Sequence, residues 1–266
     1  MKLPKRYLDR AKINLRRYQK ILESAKARDV NESDTAVIIS DFLQDVLGYN
    51  KYEEITTEFA IRSTYCDLAI QLSGTLRYLI EVKSIGTDLR DNHLRQAVDY
   101  AANQGVDWVL LTNGVRWQAH RIRFEKPIAH DEVFSLDLLD PDCKPMDLLE
   151  RLYLISREAV SANEIDSYYR TKEASSRYVI AQLLLGEPVL STIRRQLRGL
   201  FDGLKITDDE ISEVLRAEII KREALDGEKA AEATARVKRA VRKRDRAKAS
   251  AAAANAADGA EPADGG

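Results

Sequence analysis

Two neighbouring stretches decide the fold of this chain: Cys66-Asp67-Leu68-Ala69-Ile70-Gln71-Leu72 and Leu79-Ile80-Glu81-Val82-Lys83. Both are apolar runs of strand length, and a turn-like Ser73-Gly74-Thr75 follows the first. Each stretch also carries charge, and an unpaired charge is costly to bury in an apolar strand. Two carboxylates and a lysine arriving together therefore indicate a site, most simply one that holds a divalent metal ion.

Strand periodicity places these charged side chains together. Because successive side chains of a strand point to opposite faces, Glu81 and Lys83 share one face. Asp67 is out of phase with the apolar Leu68 and Ile70, so a hairpin of the two stretches brings Asp67 and Glu81 to one side. Two carboxylates plus a backbone carbonyl suit Mg²⁺ or Mn²⁺, because such ions prefer oxygen ligands and Mg²⁺ keeps several waters for substrate phosphates. Lys83 is then placed to orient a water or to neutralise the transition state.

A structural alternative explains the same charges. In this alternative, Asp67 and Lys83 form an ion pair on a solvated face of the sheet and have no functional role. Glu-X-Lys is common in strands, so the motif alone does not indicate a site. Two further signals favour a site. Gln96 and Tyr100 stand four residues apart on the next predicted helix and so share a face. Glu32 opens a helix that can lie beside the same sheet.

The predicted elements surround these strands with helices. A basic amphipathic helix over 4–29 has a heptad-like apolar seam. Docking on its own domain, a dimer contact and a DNA-facing arm all remain open for that helix. A mixed sheet with helices on both faces, an α/β fold with α+β character, follows from the order of the other elements. They are a helix from 31 to 47, strands at 54–61, 67–72 and 76–83, a helix at Asp91–Gln104, and strands at 107–112 and 115–122 that meet at Asn113-Gly114.

Composition excludes several classes of protein. The 266 residues are 44% hydrophobic, enough for a packed core, and two cysteines are too few for a disulfide scaffold or a cysteine metal site. No stretch approaches the roughly 18 apolar residues of a membrane span, and we expect no signal peptide because Met1-Lys2-Leu3-Pro4-Lys5-Arg6 is charged without a following apolar core. We therefore expect a cytoplasmic protein with no membrane partner.

The net charge of −1 hides two basic arms. Residues 2–28 contain ten Lys and Arg against two acids, and residues 228–249 contain nine against three. Each arm either adds sequence-independent phosphate contacts or is a solvated helix face.

Asp67, Glu81-Val82-Lys83 and Gln96-x-x-x-Tyr100, in this order of elements, resemble the core of the PD-(D/E)XK nucleases. More narrowly, the chain over residues 30–125 is similar to the N-terminal domain of type I restriction enzyme R subunits (HsdR). That likeness rests on Asn31-Glu32, Leu47-Gly48-Tyr49, Cys66-Asp67-Leu68-Ala69-Ile70, Leu79-Ile80-Glu81-Val82-Lys83 and Leu111-Thr112-Asn113-Gly114-x-x-Trp117.

The resemblance implies a restriction-endonuclease-like core and a set of roles. Cys66 stands where the family's name has proline, a position that varies among members. The implied roles are metal-binding carboxylates at Asp67 and Glu81, the catalytic lysine at Lys83, a helix-borne acid near the metal at Glu32, and a supporting, DNA-contacting pair at Gln96 and Tyr100.

Sequence pattern and the resemblance together predict four regions, and the resemblance implies a function. The expected regions are a basic N-terminal helix over 1–30, a nuclease-like domain over 31–140, a helical annex over 145–227, and a basic helix with a tail disordered from Ser250 over 228–266. The expected function is Mg²⁺- or Mn²⁺-dependent DNA cleavage in restriction or phage defence. No Walker motif is present, so we expect a stand-alone relative with no helicase motor and no ATP site.

Two other interpretations stay open. One is a non-cleaving DNA- or partner-binding module on a nuclease-like fold. The other is a regulatory or homo-oligomeric protein whose N- or C-terminal helices form the interface.

Overall fold

The computed structural model describes residues 2–61, 64–124 and 127–258, without the side chains of 58–61, 64, 65, 248 and 251–258. It divides into two compact units, unit 1 (Met1–Tyr169) and unit 2 (Arg170–Gly266). The strands are β1 (Ile55–Ile61), β2 (Thr64–Leu72), β3 (Thr75–Val82), β4 (Trp108–Thr112), β5 (Arg116–Arg123) and β6 (Ala129–Asp137). The helices of unit 1 are α1 (Lys5–Ala27), α2 (Glu32–Asp45), α3 (Asp91–Gln104), α4 (Pro145–Leu154) and α5 (Arg157–Ser161), followed by the start of α6 (Glu164–Ala174).

The described strands form one mixed sheet in the order of the chain, from β1 to β6. β1, β2 and β3 pair antiparallel, and so do β4, β5 and β6. β3 and β4 are parallel, because α3 carries the chain across one face of the sheet between them. The predicted mixed α/β fold is confirmed.

Helices cover both faces of this sheet. On one face α3 packs through Leu94, Ala97 and Ala101 against Leu79 of β3 and Val109 of β4. The other face carries the larger core, to which α1, α2, α4 and α5 contribute. Its members include Tyr7, Leu22, Phe42, Leu43, Leu68, Ile80, Trp117, Leu152 and Ala159.

The apolar seam of α1 lies inside its own domain. Ala11, Leu15 and Leu22 are buried in the larger core, and the Tyr7 hydroxyl donates to the Leu149 carbonyl at 2.8 Å. Arg10 donates to the Val46 carbonyl at the end of α2 and forms an ion pair with Glu158 at 2.7 Å. The first of the three interpretations of this helix, docking on its own domain, is the one the structure shows.

Three features differ from the sequence-based expectation. β6 was not predicted. Unit 1 runs through Tyr169 rather than ending near 140, because Leu148 and Leu152 of α4 pack into its core. The last helix, α10 (Glu228–Asp258), continues past Ser250, where disorder was expected. Residues 259–266 of the expected tail lie outside the described residues.

Unit 2 is helical where the structure describes it, as expected for 170–226. It comprises the end of α6, α7 (Arg177–Leu184), α8 (Glu187–Leu200), α9 (Asp208–Val214), a π-helical turn (Leu215–Ile219), a 3₁₀ turn (Arg222–Ala224) and α10. Leu190, Ile211 and Leu215 form a small core. Across the described part of the chain, no helix combines the length and apolar character needed to cross a bilayer.

Candidate active site

The candidate site lies where β2 and β3 stop pairing. The antiparallel register of this pair ends at Leu68 opposite Ile80, one residue before Asp67 and Glu81 would meet. At that point the Asp67 carboxylate accepts a hydrogen bond from the Val82 backbone N–H at 2.7 Å. The side chain thus takes the place of a ladder carbonyl, and this bond fixes the Asp67 carboxylate beside β3.

Glu81 and Lys83 project next to Asp67, as strand alternation predicted. The Lys83 ammonium lies 2.8 Å from Glu81 Oε1 and 3.5 Å from Glu32 Oε2. The Glu81 and Lys83 side chains are 9% and 19% exposed, so these charges do not lie on a solvated face. The alternative ion pair between Asp67 and Lys83 is not what forms, since Lys83 pairs with the two glutamates instead.

Burial raises the pKa of both carboxyls. For Asp67 the Val82 N–H and the Lys83 charge oppose this rise without cancelling it. For Glu81 the hydrogen bond from Lys83 opposes burial, while the negative charges of Asp67 and Glu32 add to the rise in its pKa.

The pKa of Lys83 is also raised, but its charged neighbours cause the rise and burial opposes it. Burial by itself lowers the pKa of the ammonium, but the three surrounding carboxylates outweigh it and the pKa lies above its ordinary value. Lys83 is therefore protonated at neutral pH.

The donor set fits a hard divalent cation. Three carboxylates surround one ammonium, so negative charge is in excess, and the charges of the neighbouring carboxylates add to the rise that burial causes in both carboxyl pKa values. Mg²⁺ and Mn²⁺ take oxygen ligands, and one or two carboxylates are enough for Mg²⁺ because it retains waters. Within the described ranges, no group of three or more His, Cys, Asp or Glu side chains is arranged to hold a metal ion. The fit therefore rests on Asp67 and Glu81 alone.

Gln96 and Tyr100 share a face of α3, as predicted. The Gln96 amide donates to the Tyr100 hydroxyl at 2.5 Å, and Tyr100 is buried in the α3 core. Among the described residues, neither forms a hydrogen bond or ion pair with Asp67, Glu81 or Lys83. Their supporting and DNA-contacting roles stay predictions.

The loop after Lys83 is anchored by residues that the sequence did not single out as part of the site. The Lys83 N–H donates to the Thr112 carbonyl at 2.8 Å, and the Ile85 N–H to the Val30 carbonyl at 3.4 Å. The Asn113 amide then donates to the carbonyls of Ile85 and Thr87 at 3.2 and 2.9 Å.

Asn113 also organises its own turn. Its side-chain oxygen accepts from the backbone N–H groups of Val115 and Arg116 at 3.1 and 2.7 Å. The sequence identified Asn113-Gly114 as a turn, but nothing local to a turn signals a bond to a loop 26 residues earlier.

Comparison with known families addresses the same segment. A family described as Type I restriction enzyme R protein N terminus (HSDR_N) matches residues 37–131. This segment is therefore similar to the HsdR N-terminal domain. No curated protein and no solved structure matches the chain. The expected resemblance is confirmed over the sheet domain, and it supports a restriction-enzyme nuclease-like domain there.

The HsdR-like segment begins within α2 and ends within β6. Asp67, Glu81 and Lys83 fall inside it, as do Gln96 and Tyr100. Glu32 lies five residues before the match begins, so its place in the site rests on geometry: its carboxylate oxygen approaches the Lys83 ammonium.

Proposed function

We propose that the chain is a metal-dependent DNA endonuclease that hydrolyses phosphodiester bonds at the point where β2 and β3 stop pairing. The observation that carries the proposal is the convergence of Asp67, Glu81 and Lys83 in one half-buried cluster. Asp67 and Glu81 would hold Mg²⁺ or Mn²⁺. When bound, such an ion supplies positive charge next to the scissile phosphate and favours deprotonation of water.

In this proposal each residue of the cluster has a defined task. The Val82 N–H and the Lys83 ammonium orient the two carboxylates, so the ligand oxygens are positioned before substrate arrives. Glu81 and Glu32 keep Lys83 protonated and aim its ammonium. An ammonium has three N–H donors, so one remains for a phosphate oxygen when two glutamates are engaged.

The reaction is a balanced displacement at phosphorus. A water oxygen bonds to phosphorus and one ester P–O bond breaks, which yields a phosphate monoester and a free hydroxyl end. Of the two water protons, one ends on the leaving hydroxyl and the other passes to solvent. Lys83 stabilises the charge that builds up on the phosphoryl oxygens, as fixed cationic donors do at developing charge.

Plasmid nicking tests the assignment. With supercoiled plasmid and Mg²⁺, the wild type is expected to produce open circles, and Glu81→Gln and Lys83→Ala to lower the nicking rate at least about a hundredfold. Chelation with EDTA is expected to stop the reaction. Nicking that persists in both variants would overturn these roles.

The chain offers matched controls for both substitutions. Glu54 is a buried carboxylate paired with Arg157 at 2.8 Å, and Lys51 pairs with Asp41 on the surface. Glu54→Gln and Lys51→Ala make the same chemical changes away from the cluster and should keep nicking near the wild-type rate. Circular dichroism of all four variants separates lost chemistry from lost fold.

One observation favours a second candidate, a non-cleaving DNA-binding module. In the described chain, the cluster lacks a third metal-ligating side chain. That function predicts salt-dependent DNA binding with no nicking under Mg²⁺ or Mn²⁺, so the plasmid assay with both metals decides between the two.

A further inference from the structure

A strip of positive charge runs along α10 in unit 2, outside the HsdR-like segment. Its members are Arg239, Arg242, Lys243 and Arg246, and all four side chains are exposed. They follow the spacing i, i+3, i+4, i+7, so they lie on one side of the helix. We refer to these four residues as the α10 strip.

The other arginines of this helix stretch have acidic neighbours. Arg236 forms an ion pair with Glu173 of α6, and Arg244 lies 3.6 Å from Asp245. Within the described part of the chain, no ion pair joins a member of the α10 strip to a carboxylate. The α10 strip therefore consists of exposed cations that no ion pair with a described carboxylate neutralises.

The α10 strip works against the stability of its own helix. Arg239 and Lys243 are four residues apart, as are Arg242 and Arg246, and like charges at this spacing cost about 0.2–0.5 kcal/mol per pair. A bound polyanion would reverse this repulsion. The strip is about 10 Å long, since a helix rises 1.5 Å per residue, and 10 Å of duplex carries about six phosphate charges.

The composition of α10 argues against a lipid surface. Amphipathic membrane helices bury Trp, Phe or Leu in the bilayer, whereas α10 contains alanine and two valines, Val237 and Val241, as its apolar residues. Ala230 and Ala233 are already buried within unit 2.

We propose that the α10 strip binds the sugar-phosphate backbone of nucleic acid independently of sequence, with its four side chains contacting phosphates. The strip adds a substrate-binding surface to the proposed nuclease. This second proposal rests on the proposed nuclease function only for the choice of duplex DNA as the probe.

Fluorescence anisotropy of the full chain with a random-sequence 30-bp duplex, in EDTA and at several NaCl concentrations, tests the proposal. Each phosphate contact contributes about 0.9 to the slope of log affinity against log salt. Arg239→Gln/Lys243→Gln is therefore expected to lower the slope by about 2. The control Arg195→Gln/Arg216→Gln removes the same charge from exposed positions elsewhere in unit 2 and is expected to leave it unchanged.

Three results would overturn the proposal. They are no duplex binding by the wild type, whether or not it binds phosphatidylserine vesicles, an unchanged slope in Arg239→Gln/Lys243→Gln, and an equal loss of slope in the control pair. Glu81→Gln separates this question from cleavage, because it should bind the duplex like the wild type while losing nicking. If the wild type binds the duplex but does not nick plasmid, the proposed nuclease function is contradicted, whereas the proposed phosphate binding by the α10 strip is not.

Discussion

Two buried glutamates show how the surroundings of a residue distinguish a fully paired charge from a partly paired one. Glu54 and Glu81 are both buried, and each has a cation at 2.8 Å. Both oxygens of Glu54 accept from Arg157, which satisfies the carboxylate. Glu81 instead shares the Lys83 ammonium with Glu32, and the negative charge of Asp67 lies nearby. One cation is therefore not enough to balance the carboxylates around it.

His120 gives the molecule a residue-level pH dependence. Burial, together with the neighbouring His130, lowers the pKa of His120 from 6.5 to about 4, while Asp91 opposes the shift. The rings of His120 and His130 lie 5.4 Å apart, and neither nitrogen of His120 has a hydrogen-bond partner among the described residues. Above pH 6.5 the imidazole is neutral in both the folded and unfolded chain. Below it, only the unfolded chain takes up the proton.

The free energy of unfolding should therefore fall as the pH drops from about 6.5 towards 4. At pH 5 the loss from this group is about 2 kcal/mol relative to pH 7.5. Urea unfolding at the two pH values measures it. His120→Leu should remove most of the difference, whereas His93→Gln on α3 should not. Equal pH dependence in wild type and His120→Leu would contradict the prediction.

At the scale of elements, the end of α2 is held by α1. Gly48 follows α2 with a φ of +85°, and Arg10 donates to the carbonyls of Val46 and Leu47 just before it. A Cβ on residue 48 would overlap the Arg10 guanidinium. Gly74 also has a positive φ, of +74°, but a Cβ there meets nothing within 4 Å.

The two glycines form a matched pair. Gly74→Ala should cost about 1 kcal/mol from backbone strain. Gly48→Ala should cost about 2–4 kcal/mol, because Arg10 must also move away and lose its bonds to Glu158 and to the carbonyls of Val46 and Leu47. In an Arg10→Ala background, the loss in free energy of unfolding caused by Gly48→Ala should fall to the loss caused by Gly74→Ala. Urea denaturation of the double-mutant cycle measures this coupling. Equal costs for the two glycines in the wild-type background would count against the clash.

Sequence pattern predicted the elements whose periodicity is regular. The bounds of α3, Asp91–Gln104, agree with the expected helix, and β2 and β3 place Asp67 and Glu81 together. β6 was missed because its alternation is broken. The register shifts at Ala119/His120, so Val133 and Phe134 are consecutive and both buried, and an inserted residue of this kind removes the period-2 signal.

The site was predicted less completely than the strands that carry it. Asp67, Glu81 and Lys83 were found because charge is conspicuous in an apolar strand. The ion-pair partner of Lys83 was not predicted, because the choice between Asp67 and Glu81 depends on how far β2 and β3 stay paired. That length is set by packing and is not visible in the alternation of side chains.

At the scale of the whole molecule, the two units contain separate cores. Both tryptophans, Trp108 and Trp117, lie in unit 1, so tryptophan fluorescence reports on that unit. Circular dichroism at 222 nm reports on the helices of both. The core of unit 2 is small, and we expect it to unfold at lower urea, so the two probes should give transitions that do not coincide.

Core substitutions assign each transition. Leu152→Ala in unit 1 and Ile211→Ala in unit 2 should each cost about 2–4 kcal/mol, since both side chains are buried in their cores. Leu152→Ala should move the fluorescence midpoint. Ile211→Ala should move only the early part of the dichroism curve. A single transition that both substitutions shift equally would mean that the chain unfolds as one unit.

Asn113 has a consequence for how mutations in this chain are interpreted. All of its side-chain hydrogen-bonding groups are engaged, with the amide on the loop after Lys83 and the oxygen on its own turn. Aspartate would lack the two donors, and serine could not reach all four partners. In a saturation mutagenesis screen selected for the proposed nicking activity, we expect position 113 to tolerate as few substitutions as the proposed catalytic residue Lys83. It would be mistaken for a substrate-binding residue by anyone who had only the screen.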